Sequence, residues 1–169
     1  MTNVATKLNS LSPSARREAL ARCCQAPAWV DAVAAAAPYR DAEEVMTAAR
    51  SAAGLLDRDG WLEAFAAHPR IGDVESLRAK FAGTKAWATG EQRGVAGASE
   101  ATLERLAQKN AEYLVKFGYQ FIVCATGKTA DEMLTMLEER LGNGPADELP
   151  IASAEQLKIT LLRLEKLAE

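Results

Sequence analysis

The chain of 169 residues holds one histidine and three cysteines. The cysteines are Cys23, Cys24 and Cys124, an odd count with two of them adjacent, which excludes a paired disulfide framework and suits reduced thiols in a cytoplasmic setting. One imidazole and no C-x-x-C leave no ligand set at structural-zinc spacing, so no metal site is expected. Apolar runs stay well short of the roughly 20 residues that cross a bilayer, so no membrane partner is expected. The formal net charge of −3 lacks the basic excess of a nucleic-acid binder, and no nucleic acid is expected. MTNVATKLNS has no basic segment leading into an apolar one, so no secretory signal is expected, and KLAE is not a peroxisomal address. A P-loop, a G-x-G-x-x-G, an H-E-x-x-H and a nucleophile elbow are all missing.

What is present is helical. With 49% hydrophobic and 25% charged residues, the chain has the balance of a globular domain. Ser12 before Pro13, Asp41 before two glutamates, and Asp73 read as helix caps. Thr129 with Glu132 forms a capping box, with Gly142 as that helix's end, and Ser153 with Gln156 reads as a second box opening the last helix. SEATLERLAQKNAEYLVKFG reads as a long amphipathic helix with Leu103, Leu106, Tyr113, Leu114 and Phe117 inward and Gly118 as its stop. The segment DVESLRAKF reads as a short helix of its own, and TGEQRGVAGA as a separate glycine-rich helix start. YQFIVCATG breaks the pattern with aromatic and β-branched residues. It has no partner strand, so residues 119–125 are expected to be an extended segment packed among helices. The expected fold is one all-α domain over residues 1–169, with about eight or nine helices.

Four places invite chemistry. His68 follows Trp61 and Phe65 at i, i+4, i+7 spacing, which puts all three on one helical face, and Pro69 forces the helix to end there. An imidazole at a helix C-terminus favours its protonated form, although a histidine that merely caps a helix and fills a gap explains the residue too. Glu91 and Gln92 follow Thr89 in a capping-box pattern, which alone accounts for both. Near His68, however, Glu91 would orient and charge the imidazole, the arrangement of a general acid with its carboxylate partner. Phe121 to Ala125 would carry backbone groups in need of partners, a small polar ligand being one. Arg163 adjoins the apolar stripe of Leu157, Leu161 and Leu164 and faces either an anion or solvent.

The motifs, taken together, resemble one family. WLEAFAAHPRIGD, WATGEQRGV, NAEYLVKFGYQFIVCATGK, RLGN and EQLKITLLRL occur in the order found in 2-oxo-4-hydroxy-4-carboxy-5-ureidoimidazoline (OHCU) decarboxylases. The resemblance spans LNSLSP to LRLEKL. It implies an all-α, cofactor-free enzyme, often dimeric, that makes (S)-allantoin in urate degradation. It implies His68 and Glu91 as the catalytic pair. It implies Pro69, Gln92, Phe121, Ile122, Val123, Cys124, Ala125 and Arg163 as ligand contacts, with Ala88, Thr89 and Gly90 completing the set. Many members carry serine where this chain has Ala88, so water or Thr89 is expected to replace one hydrogen bond. Two other readings compete: a non-catalytic helical module for a protein or purine-like ligand, and a racemase or hydrolase of a related ureide.

Overall fold

Short polar side chains set where most helices begin. In the computed structural model, which describes residues 2–69, 74–87 and 92–169, the order is α1 (Val4–Ser10), α2 (Pro13–Cys23), α3 (Pro27–Ala35), α4 (Ala42–Gly54), α5 (Arg58–Ala66), α6 (Val74–Trp87), α7 (Gln92–Phe117), α8 (Ala130–Leu141) and α9 (Pro145–Lys166). Ser12, Asp41 and Asp57 cap α2, α4 and α5 by accepting from Ala15, Glu44 and Gly60 N–H. Thr129 and Glu132 form both bonds of the box at α8. Each cap satisfies a donor that the first helical turn leaves open, at a typical worth of about 1 kcal/mol. Among the described residues there is no strand, and the all-α expectation holds.

Several boundaries differ from those the sequence suggests. α6 runs on to Trp87, past Phe81. TGEQRGVAGA and SEATLERL are one helix, α7, of 26 residues. Gly94 and Gly97 each cost about 1 kcal/mol in a helix interior, too little to break one held by the packing of its later turns. α9 starts at Pro145, not after Ser153, so Ser153 is a buried interior residue and Gln156 is no box partner. Gly144 O accepts from the N–H of Asp147 and Glu148 to open that helix. Pro150 lies inside it, tolerated although it withdraws one donor. Gln156 instead donates to Thr160 Oγ1 at 3.2 Å in the interior. Gly142 ends α8 at φ −74°, a conformation open to any residue, whereas Gly118 ends α7 at φ +81°, the left-handed region that favours glycine.

The chain divides into two compact units, Met1–Ala67 with Ile151–Glu169, and His68–Pro150. In the first, Leu8, Leu20, Trp29, Val33, Val45, Ala49 and Leu164 build the core. Trp29 Nε1 donates to Ala49 O at 3.0 Å, tying α3 to α4. In the second, α7 packs on α6 and α8. Leu103, Leu106, Tyr113 and Phe117 are buried as their spacing requires, and Leu114 is half-buried. Arg78 fixes α6 to α7 by donating twice to Glu100, at 3.0 and 2.9 Å. Thr102 Oγ1 donates to Asp131 Oδ1 at 2.7 Å between α7 and α8. After Gly118 the chain runs through residues 119–125 as neither helix nor strand, then turns at Thr126 and Gly127 into α8.

Candidate functional site

α5 stops at Ala66, with Ala67 as its cap, so the helical face counted through Trp61 and Phe65 ends before His68. Trp61 and Phe65 do stack, with ring centroids 6.2 Å apart. His68 is half-buried in the turn beyond the helix, and Pro69 is exposed. The turn is anchored to the irregular segment: Gln120 Nε2 donates to His68 O at 3.2 Å. The backbone of His68 and the segment that begins at residue 119 are therefore joined directly.

The segment itself is held from one side by two cations. Arg140 Nη1 donates to Ile122 O at 2.6 Å, and Lys128 Nζ donates to Cys124 O at 2.8 Å. Arg140 is 6% exposed and fixed by Glu148, which is 0% exposed. Its Nε lies 2.7 Å and its Nη2 2.5 Å from Glu148 Oε1. Tyr113 OH donates to that same oxygen at 2.5 Å, and Asn143 Nδ2 donates to Glu148 Oε2 at 2.9 Å. The guanidinium also lies 4.6 Å from the centre of the Phe121 ring. Burial, with the bond to Glu148, holds the Tyr113 phenol far above its ordinary range. Every polar atom of the carboxylate is thus engaged, the condition under which a buried charge is tolerated.

The opposite edge of the segment is different. Val123 is only 9% exposed, yet among the described residues its N–H meets no acceptor and its carbonyl no donor. The N–H of Ala125 likewise meets no acceptor among the described residues. A buried backbone group left unpaired costs about 1–3 kcal/mol, so such an edge is suited to a polar ligand that brings its own donor and acceptor.

Of the other expected contacts, Ala88, Thr89, Gly90 and Glu91 lie outside the described residues. Gln92 is the first residue of α7, its side chain outside the described set. Arg163 belongs to the other compact unit, where it is half-buried on α9 and its Nη1 donates to Cys23 O at 3.4 Å. All three cysteines are buried and unbridged. Burial pushes the Cys23 thiol up to about 11, the nearby Arg163 and Arg22 opposing the rise. Among the described residues no cluster of potential ligands is arranged to hold a metal ion, and no helix is long and apolar enough to cross a membrane.

Sequence reasoning placed Tyr113 in the core without assigning its hydroxyl a partner, and did not single out Gln120, Lys128, Arg140 or Glu148. One signal was present for Arg140: Met133, Leu137 and Arg140 fall on one face of α8, and all three are buried. An arginine on an apolar stripe demands a partner.

The chain is similar to known proteins. A 37% identical relative over 145 residues is the uric acid degradation bifunctional protein TTL of Arabidopsis thaliana, matching 86% of this chain and 45% of that protein. A 2-oxo-4-hydroxy-4-carboxy-5-ureidoimidazoline decarboxylase of Amia calva is 38% identical over 87 residues, 48% of this chain and 50% of that one. The chain thus spans about half the length of these curated relatives. A crystal structure of OHCU decarboxylase in the presence of (S)-allantoin superposes with a TM-score of 0.70 at 38% identity, covering 87% of this chain and 94% of the other. A crystal structure of (S)-allantoin synthase, at 20% identity and a TM-score of 0.71, covers 96% of this chain and 53% of that one and shares the fold. The family profile described as OHCU decarboxylase matches residues 9–165, and the chain belongs to that family.

Proposed function

We propose that this chain removes carbon dioxide from 2-oxo-4-hydroxy-4-carboxy-5-ureidoimidazoline and releases (S)-allantoin. The bond between the ring carbon and the carboxylate breaks, and its electron pair stays on the ring, spread over the neighbouring carbonyl and imine-like groups. A proton delivered to one face then forms the new C–H bond and makes a single enantiomer. The ring holds the electrons itself, so the reaction needs no cofactor. His68 is the proton donor, since an imidazole titrates near working pH. Glu91 orients it and keeps it charged. Pro69, Gln92 and the 121–125 backbone bind the ureide, and preorganised donors stabilise the developing charge. We further propose a cytoplasmic protein, which three unbridged buried cysteines suit, and a homodimer in solution.

The observation that carries this reading is the tether between Gln120 and the His68 carbonyl. It ties the backbone of His68, the residue that carries the only imidazole, to the segment whose Val123 offers both a donor and an acceptor. A ureide offers the complementary pair. The test follows circular dichroism after uric acid has been oxidised and its ring opened. Wild type should produce optically active allantoin far faster than spontaneous decay. His68→Asn should fold and lose nearly all of that acceleration, and Glu91→Ala should lose turnover deeply. Near wild-type acceleration by folded His68→Asn refutes the assignment.

A further inference from the structure

We infer that Arg140 and Lys128 are positioning residues that aim and polarise two backbone donors, the N–H groups of Val123 and Ala125, at acceptor oxygens of the ligand. This rests on the decarboxylase reading and adds to it two residues that touch the segment from behind. The argument begins with the peptide unit. Ile122 C=O and Val123 N–H belong to one planar group, as do Cys124 C=O and Ala125 N–H. The only cis bond found among the described residues is Ala37–Pro38, so both units are trans and each N–H points away from its own carbonyl. A cation on the carbonyl of each unit therefore stands directly behind its N–H.

Both carbonyls have such a cation, Arg140 on Ile122 and Lys128 on Cys124. The carbonyl of Val123 between them has no donor among the described residues. Cations on the carbonyls of residues 122 and 124, with none on the one between, match the alternation in which successive carbonyls point to opposite edges. A charged donor binds a carbonyl more strongly than a neutral one does, and hydrogen bonds in series reinforce each other where the dielectric is low. Each cation thus fixes the direction of one N–H and makes it a better donor. The side chains themselves need never touch the ligand.

The Arg140 site is also built to stay in place. The buried Glu148 takes Nε and Nη2, while Tyr113 and Asn143 hold Glu148. That leaves Nη1 aimed at Ile122 O. A buried ion pair is weak evidence of stabilisation, since well-packed apolar residues often serve the fold equally well. Here its geometric product is a fixed carbonyl. Lys128 reaches its carbonyl from the half-buried turn before α8, so it can be changed without emptying the interior.

The experiment compares wild type with Lys128→Met, Lys128→Arg, Arg140→Lys and the paired Arg140→Met with Glu148→Leu. It measures KM and kcat on freshly generated ureidoimidazoline, (S)-allantoin affinity by calorimetry, and folding by near-ultraviolet circular dichroism and Tm. Lys128→Met should raise KM and weaken (S)-allantoin binding about tenfold, the worth of one such hydrogen bond, with kcat much less affected. Lys128→Arg should restore both. Folded Arg140→Lys and the folded paired variant should lose affinity to a similar degree, whatever happens to Tm. Folded variants with wild-type KM and affinity overturn the inference, even if Tm falls. If the Arg140 variants do not fold, Lys128→Met alone decides. Wild type that neither accelerates the reaction nor binds (S)-allantoin overturns the functional reading and this inference together. Wild type that does both, beside a Lys128→Met that matches it, overturns only this inference.

Discussion

Replacing Tyr113 by Phe removes one hydroxyl from the interior of the second unit and little else. The ring is retained, along with its contacts to Phe117, Tyr119 and Phe121 at 4.5, 5.9 and 5.4 Å between centroids. What disappears is the bond to Glu148 Oε1 and the longer one, 3.4 Å, that the hydroxyl accepts from Arg140 Nη2. That oxygen keeps two guanidinium nitrogens and the other keeps Asn143, so the carboxylate is not orphaned. The expected loss is therefore at the low end for a hydrogen bond to a charged group, about 1.5–2 kcal/mol near neutral pH. The same hydroxyl sets a pH dependence. Burial and Glu148 raise its folded pKa, so the native state keeps the proton after the unfolded chain begins to release it near pH 10. Its contribution is complete below that pH and declines above it, by about 0.8 kcal/mol at roughly pH 10.5. Urea denaturation of wild type and Tyr113→Phe at both pH values isolates the effect, because groups common to the two proteins cancel. The stability gap should narrow to about 1 kcal/mol at the higher pH. A gap that stays constant or widens, or one below about 0.5 kcal/mol at neutral pH, refutes the reasoning.

Two further outcomes are expected from the fold. Cys23 has its folded pKa raised by burial from 9.0 to about 11, so wild-type stability should decline as pH rises from 9 toward 11, and Cys23→Ala should show a shallower decline; equal slopes by urea titration count against the burial argument. Thr129→Ala should cost about 1 kcal/mol, and combining it with Glu132→Ala should cost less than the sum, since each residue supplies half of one box; full additivity in a thermal double-mutant cycle would contradict that geometry.

The features legible in the sequence are those decided within a few residues. Ser12, Asp41 and the Thr129–Glu132 box reach only three positions along the chain, and all formed as their spacing requires. Gly118 stops α7 because the left-handed turn needs it. The same local logic failed at Ser153, where a suitable cap pattern sits inside a helix already opened at Pro145. The long helix read from SEATLERL onward begins earlier, at Gln92. His68 stood out by being the only one of its kind, and residues 119–125 by breaking helical periodicity. Arg140 and Glu148 did not stand out, because Tyr113 and Ile122 come to them from 27 and 18 positions away. Such a cluster exists only once α7, α8 and the start of α9 have met. Glu91 rests on its motif and its family likeness, since it lies outside the described residues.

The division of the chain at His68 and Pro150 has a consequence for biosynthesis. The second unit is continuous in sequence, but the first is made of the earliest and latest parts of the chain. Leu164 shares a core with Val4, Leu8 and Trp29. While the chain grows from its N-terminus, α1 to α5 must wait for that leucine with their apolar faces incompletely covered. The His68–Pro150 unit has all its own residues before then. The His68–Pro150 unit thus has the chance to form first, and the residues before it are the ones most in need of protection from aggregation until α9 arrives.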